Sequence, residues 1–295
     1  SQCRRLTVVT RTGATGAAIE AATWDLDHVA TTGEWALLTP TEAAMPTEAA
    51  DLAERSGTVV TWELLDRVVG DSTVEDADAG KRFRQQVRAV EDHLSAVFHR
   101  FLVGRGRVKI TINDRELAPW DPFMEDHAAT MNLGAETLVF NDEAIEITPF
   151  VLPHRSKLTD KEHDAAGRGD WNGRQGFYVY RNRRLLMSGG WMRLFASEEH
   201  TKLARVRVDL PNTLDHEWQI DVKKAVARPP GPLRDQLRRI ATVARRDASN
   251  VYRHRGKVVA RGAGGSVAFL WERRSVRGTI AYRLNREHPL VRDLI

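Results

Sequence analysis

The feature that most constrains the fold is a long stretch with helical periodicity between Lys81 and Gly104. Its apolar residues recur three and four positions apart, which places them on one face of a helix. They are Phe83, Val87, Val90, Leu94, Val97, Phe98 and Phe101. Gly104 is the expected end of this helix. A second long helix is predicted over residues 231–256, and its apolar face comprises Leu233, Leu237, Ile240, Val243 and Ala244.

Runs rich in β-branched and aromatic residues surround both helices and predict strands. These runs lie at residues 3–12, 16–26, 57–65, 107–117, 136–140, 144–153, 176–190, 203–211, 218–222, 266–274 and 278–285. The strands occur in groups with few helices between them. This grouping predicts an α+β chain in which two sheet-and-helix layers follow one another, with a C-terminal extension after them.

Charge is distributed unevenly along the chain. Residues 41–92 carry many acidic side chains, whereas residues 223–286 are strongly basic. A basic segment of this kind is suited to contact a phosphate backbone. The alternative is a solvated helix face in a chain that prefers arginine throughout.

Composition also bears on the compartment. No apolar run is long enough to predict a transmembrane helix. The single cysteine, Cys3, excludes an internal disulfide, which is typical of a reducing cytoplasm. The chain enters a strand almost at once, so we expect that residues upstream of Ser1 are missing from it.

Local motifs argue against several enzyme classes. The sequence contains neither the CxxC nor the HExxH spacing of zinc sites, and neither a G-x-S-x-G elbow nor a Walker A loop. Residues 163–176 include the glycines of a phosphate cradle, but without the strand–loop–helix order that such a cradle needs. They are interpreted as a mobile loop.

Several segments occur in a distinctive order. They are "SQCRRLTVVTRT", "GTVVTWELLD", "KRFRQQVRAVEDHLSAVFHRFL", "GRVKITIND" and, further on, "GFYVYRNRRLL". The first four resemble the later half of a GHKL ATPase domain of the MutL and MORC branch. The fifth is similar to the strand that opens the transducer domain of MORC-type proteins. The resemblance covers residues 1–255.

This resemblance implies three parts. Residues 1–122 would form the later half of the GHKL ATPase sandwich, and residues 123–256 a transducer domain similar to a small ribosomal protein. Residues 257–295 would form a C-terminal extension with a hairpin. The family's site for ATP and Mg²⁺ needs a general-base glutamate, an asparagine for the metal, an Asp-x-Gly-x-Gly motif and a glycine-rich lid. None is present here, so we expect those ligands upstream and this segment alone to be inactive.

The resemblance implies two nucleotide contacts within the chain. Gly57 and Thr58 match the family's Gly-Thr strand, which places a hydroxyl beside the adenine-binding aspartate. Glycine permits close approach of the backbone, and threonine supplies both a donor and an acceptor. Lys223 and Lys224 lie where the family's transducer loop sends a lysine to the γ-phosphate.

Lysine suits that role because it is a compact cation on a flexible stem, able to neutralise charge that develops during phosphoryl transfer. If residues 218–222 form a strand, alternation would turn Lys223 and Lys224 to opposite sides. Without the resemblance, the pair is a solvated basic turn before a helix that starts at Pro232.

Candidate phosphate contacts come from the basic helix. They are Arg234, Arg238, Arg239, Arg245, Arg246, Arg253 and Arg255. The resemblance therefore predicts a cytoplasmic, ATP-dependent clamp on DNA that dimerises on binding ATP. It would work with a nuclease or another defence-system protein, in bacterial DNA defence or repair, and without a membrane.

Two other functions remain open from the residues alone. One is a basic nucleic-acid-binding module without enzymatic activity. The other is a scaffold subunit that docks on a partner through tryptophans, of which the candidates are Trp171, Trp191, Trp218 and Trp271.

Overall fold

A computed structural model describes residues 3–41, 44–70, 77–220, 227–253, 271–276 and 279–285. Helices and strands are both abundant and grouped, so the chain is of the α+β class, as the sequence predicts. It divides into two compact units, Ser1–Val90 and Glu91–Ile295. The three-part division at residues 122 and 256 stays a prediction.

The first unit contains a three-stranded antiparallel sheet with β1 in the centre. Its strands are β1 (Arg5–Arg11), β2 (Glu20–Asp25) and β3 (Gly57–Glu63). One face is covered by a 3-10 turn, whose Leu52 packs on Val9. On the other face Val60 and Trp62 are more than half exposed. The pattern of burial follows the two-residue period of a strand.

Helices follow the second and third strands of this unit. They are α1 (Leu26–Thr32), α2 (Asp66–Val69) and the first part of α3 (Ala77–Val97). The periodic stretch in the sequence therefore forms a helix, but the α-helix ends at Val97. A 3-10 turn follows over His99–Phe101, so the predicted end at Gly104 is several residues too late.

After the last turns of α3, the second unit has a short hairpin and then a six-stranded mixed sheet. The hairpin strands are β4 (Thr111–Ile112) and β5 (Arg115–Glu116). The sheet strands are β6 (Met131–Asn132), β7 (Glu136–Phe140), β8 (Glu143–Val151), β9 (Gly176–Arg181), β10 (Arg184–Ser188) and β11 (Ala204–Leu210).

The order of this sheet is β10-β9-β11-β8-β6, and β7 also pairs with β8. Strands β9 and β11 are parallel, while the other pairs are antiparallel. The remaining elements are α4 (Asp160–Gly167), α5 (Gly231–Arg253), β12 (Trp271–Val276) and β13 (Thr279–Leu284). The last two pair as an antiparallel hairpin.

Helix α5 covers one face of the six-stranded sheet. Its buried residues recur at helical spacing and are Leu233, Leu237, Ile240, Ala241, Ala244 and Ala248. They share a core with sheet residues such as Ile147, Val179 and Val206. Burying each large apolar side chain stabilises the fold by about 1.5–3 kcal/mol. The helix starts at Gly231, beside Pro232, which agrees with the predicted start.

The opposite face of the sheet is aromatic and cationic. Its apolar core consists of Trp120, Phe123, Phe150, Tyr178, Tyr180 and Leu185. Strand β11 adds Arg205, which is fully buried, to this face. The segment around Trp120 and Phe123 thus packs on the sheet, so this face is interior rather than solvated.

Two-residue turns with left-handed backbone close three hairpins. Both central residues have positive φ in Asn113-Asp114, Asn141-Asp142 and Asn182-Arg183. Positive φ at both positions is the signature of type I′ turns, whose twist matches that of paired strands. The first two of these turns are predicted by the sequence.

One local prediction is wrong and a second is right only for residues 168–175. The described part of the predicted strand at 218–222 is a turn, in which the Ile220 N–H donates to the Asp215 carbonyl at 3.0 Å. The argument from strand alternation about Lys223 and Lys224 therefore fails. The predicted loop at 163–176 begins inside α4, which a capping box between Thr159 and Glu162 stabilises at its start.

A glycine pair at the start of β9 provides a stability test. Gly176 has φ +117, and a Cβ there would lie 2.2 Å from the Gly190 carbonyl oxygen. Gly190 has φ +81, but a Cβ there meets nothing within 4 Å. We expect Gly176→Ala to lower the free energy of unfolding by roughly 3 kcal/mol or more, because backbone must move. Gly190→Ala should cost only about 1–2 kcal/mol.

Urea unfolding followed by tryptophan fluorescence measures both variants. Equal losses for the two alanine variants would contradict the close approach of Gly176 to the Gly190 carbonyl.

Candidate functional site

The predicted γ-phosphate lysines, Lys223 and Lys224, lie outside the described residues, within residues 221–226. The chain on either side of them is fixed. The Arg228 N–H donates to the Trp218 carbonyl at 2.7 Å, and Trp218 is fully buried. The described ends of the chain before and after the lysines therefore meet at one hydrogen-bonded stem.

This stem is anchored to the sheet. It follows the carboxyl end of β11 and precedes the first turn of α5. Trp218 belongs to the core between the sheet and α5. On β9, Arg181 forms an ion pair with Asp215, at 2.6 Å, just before the stem. Movement of the stem would therefore disturb both the core and this ion pair.

The second predicted nucleotide contact, Gly57-Thr58, lies at the beginning of β3. The hydroxyl oxygens of Thr58 and Thr10 are 2.9 Å apart, and the Thr10 hydroxyl is also 3.2 Å from the Gly57 carbonyl. Both hydrogen bonds are exposed to solvent. The pair is accessible to a ligand, and its role beside an adenine stays a prediction.

Two of the predicted phosphate-binding arginines make ion pairs within the second unit. Arg239 lies 2.6 Å from Glu136 on β7. Arg245 lies 3.0 Å from Glu198 and stacks over the ring of Phe195, 4.6 Å from its centre. Both side chains hold α5 to its surroundings.

The other arginines of α5 are more open. Arg238, Arg246 and Arg253 are exposed, and Arg234 is partly exposed. Arg238 and Arg246 contact the neighbouring acids Asp235 and Asp247 on the same helix, and such surface pairs are worth little. Arg255 lies outside the described residues. A role of these side chains in binding nucleic acid stays a prediction.

Sequence reasoning misses a cleft in the second unit. Its cavity of about 380 Å³ is lined by His154, Arg155, His163, Trp171, Lys202, Leu203 and Tyr252. These residues come from the chain before α4, from α4 itself, from the loop after it, from the start of β11 and from the end of α5. We call this site the His–Trp–Tyr cleft.

The walls of the His–Trp–Tyr cleft are mostly rings. The His163 and Trp171 rings are stacked, with centres 4.9 Å apart. Tyr252 contacts His200 and His154 edge to face, at 5.1 Å and 6.3 Å. The Lys202 ammonium lies 5.4 Å from the centre of the Tyr252 ring. The arrangement offers flat apolar surfaces with cations at their edges.

A single glycine allows one of these walls to form. A Cβ on Gly167 would lie 2.1 Å from Nε1 of Trp171. The indole therefore rests directly on the end of α4, where no other residue would fit without a shift. The sequence shows the residues that form this cleft, among them Gly167, Trp171 and the scattered histidines. No motif or regular spacing indicates that they lie together.

A buried histidine lies on the opposite face of the sheet. His99 is 6% exposed, and its Nε2 is 2.9 Å from the Tyr180 hydroxyl. Burial, together with the nearby Arg100 cation, lowers the pKa of His99 to about 4. Burial also raises the pKa of Tyr180 well above its usual value. Both groups are neutral near pH 7, and their hydrogen bond joins β9 to the turn after α3.

Within the part of the chain that the structure describes, no group of three His, Cys, Asp or Glu side chains is placed to hold a metal ion. In the same residues, no helix combines the length and apolar character needed to cross a bilayer.

No protein-family model matches the sequence, and no curated protein matches it.

The buried His99 predicts a pH dependence of stability. The unfolded chain binds a proton on this histidine below about pH 6.5, whereas the folded chain does so only near pH 4. Lowering the pH from 7 to 4 should therefore reduce the free energy of unfolding by about 3 kcal/mol through this group. His99→Gln, which stays neutral, should remove that part of the slope.

Urea unfolding at a series of pH values measures the slope, with the exposed His93→Gln as the matched control. A His99→Gln slope identical to that of the unchanged protein would show that His99 does not carry the effect.

Proposed function

We propose that the chain is part of an ATP-dependent GHKL-type switch of the MutL and MORC-like class, acting on DNA. The support is the order of its sequence segments and one structural observation. The lysine pair lies on a segment whose two ends meet at a stem, fixed between β11 and α5. Both described ends of this segment are attached to the core of the second unit.

This placement suits a γ-phosphate sensor. A lysine at the γ-phosphate position has a negatively charged partner only while that phosphate is bound. Because the stem is held by buried Trp218 and by the Arg228–Trp218 hydrogen bond, that attraction acts on the sheet and α5 together. In this proposal the Mg²⁺ ligands, the general base and the adenine-binding aspartate come from outside the 295 residues, while Gly57 and Thr58 lie beside that aspartate.

The lysine assignment is tested by ATP hydrolysis in the longest natural form of the polypeptide that contains these residues. We expect Lys223→Ala or Lys224→Ala to lower kcat by about a hundredfold, because charge on the transferring phosphoryl group loses its partner. ATP binding should change far less. Lys161→Ala, an exposed lysine on α4, is the matched control.

Two outcomes count against this proposal in different ways. If neither lysine variant slows hydrolysis, the lysine assignment is wrong. If the unchanged protein neither binds nor hydrolyses ATP, the GHKL proposal itself is wrong.

The exposed arginines of α5 favour DNA as the target. Arg246 and Arg253 follow Arg238 by 8 and 15 positions, which keeps the three within about a quarter turn of one side of the helix. Side chains spread along one side of a rod can follow a phosphate backbone. The same observation supports a second candidate, a nucleic-acid-binding module without ATPase activity.

Salt dependence of duplex binding tests this surface. Changing Arg238, Arg246 and Arg253 together to glutamine should make the slope of log K against log salt shallower by about 0.9 for each lost phosphate contact. Fluorescence anisotropy at several salt concentrations measures it, with exposed Arg107→Gln as control. An unchanged slope would show that these three side chains do not contact DNA phosphates. If ATP does not change the affinity for DNA, the nucleic-acid-binding module is favoured over the ATP-dependent switch.

A further inference from the structure

The His–Trp–Tyr cleft carries basic groups that an anion could contact. Two of the side chains that line it, Arg155 and Lys202, are basic. Among the described lining residues none is acidic. The carboxylates of Asp160 and Glu199 contact these two cations without lining the cleft themselves. An anion that binds Arg155 and Lys202 therefore has to share these cations with the two carboxylates or displace them.

The tautomer of one histidine in the cleft is fixed by a hydrogen bond. Nδ1 of His154 accepts from the Ser156 N–H at 3.2 Å. In the neutral ring the proton is therefore on Nε2, which is a donor. Tyr252 donates its hydroxyl to Glu199 at 3.2 Å, which fixes the ring at the end of α5. The polar groups are thus arranged before any ligand enters.

The shape of the cleft selects a planar ligand. Its cavity of about 380 Å³ is within the usual range of small-molecule sites. The ring pair of His163 and Trp171 and the ring of Tyr252 supply the flat faces on which a heterocycle stacks. Simple anions such as phosphate use the cations but leave these faces unoccupied.

We propose that the His–Trp–Tyr cleft binds a nucleotide unit, with its base among the rings and its phosphate at Arg155 and Lys202. A planar heterocycle that carries an anionic group satisfies both features of the cleft, whereas an acidic peptide satisfies only the charge. This site is separate from the lysine segment, because it lies beside the last turn of α5 and the start of β11, while the lysines follow the end of β11.

The nucleotide unit has two possible sources: a free mononucleotide or the end of a nucleic-acid strand. Arg253 follows Tyr252 directly and is exposed together with Arg246, so a strand along the arginines of α5 would reach the cleft. Binding of a strand end rests on the proposed DNA function, whereas binding of a free mononucleotide does not.

Calorimetric titration of this chain with deoxyadenosine monophosphate tests the proposal without ATP hydrolysis. We expect the mononucleotide to bind at least about tenfold more tightly than ribose 5-phosphate or inorganic phosphate, because those probes lack the stacking base. Tyr252→Leu should weaken binding by about tenfold, while Tyr252→Phe, which retains the ring, should keep most of it. Circular dichroism checks that each variant folds.

Exposed histidines give a second pair of variants that do not endanger the fold. His200→Ala removes a ring that contacts Tyr252 and should weaken binding, whereas His216→Ala, located before the lysine segment, should not. A 5′-phosphorylated single strand and a blunt duplex distinguish the sources. If the single strand binds more tightly than the duplex and the mononucleotide, the natural ligand is a strand end. If the single strand binds no more tightly than the mononucleotide, the natural ligand is a free nucleotide.

The proposal is overturned if the mononucleotide and the single strand both fail to bind. It is also overturned if inorganic phosphate or an acidic peptide binds as tightly as the mononucleotide, or if folded Tyr252→Leu binds normally. Loss of ATP hydrolysis in the lysine variants, with mononucleotide binding retained, would separate this site from the proposed switch.

Discussion

The second unit depends on a cation buried in its interior. Arg205 is completely inaccessible to solvent, and its guanidinium donates to the main-chain carbonyls of Pro122 and Ala166. The rings of Trp171 and Tyr178 flank it at 5.6 Å and 5.5 Å. Burial lowers the pKa of this arginine. Removing a cation from water costs several kcal/mol. The two carbonyls satisfy the terminal nitrogens, whereas the buried Nε has no hydrogen-bond partner among the described residues, so these two carbonyls and the rings must be positioned together.

That requirement connects the core to the cleft. Arg205 binds the Ala166 carbonyl at the end of α4, and Gly167 next to it accommodates the Trp171 indole. Arg168, in a left-handed conformation at the end of α4, donates to the Asp92 carbonyl at 2.7 Å. The end of α4 is therefore fixed from two sides. A wall of the His–Trp–Tyr cleft is built from the same contacts that compensate the buried cation.

The sequence predicts the elements whose signals are local. The helical spacing of Leu233, Leu237 and Ile240, and the asparagine turns at the hairpins, depend only on neighbouring residues and are confirmed. The strand predicted at residues 218–222 is wrong because the Ile220–Asp215 hydrogen bond closes a turn there. Arg205 on β11 is covered by a segment some eighty residues earlier, a contact that no local pattern indicates. The cleft escapes prediction for the same reason, since its walls come from distant parts of the chain.

Helix α5 uses its basic residues for two purposes. Arg239 and Arg245 bind Glu136 and Glu198 and so attach the helix to the rest of the second unit. A count of arginines therefore overstates the charge available to a ligand. The helix is about 34 Å long, with the stem of the lysine segment before its first turn and the cleft beside its last. Because one buried face packs the whole helix on the sheet, ligands at its two ends would act on a single rigid body.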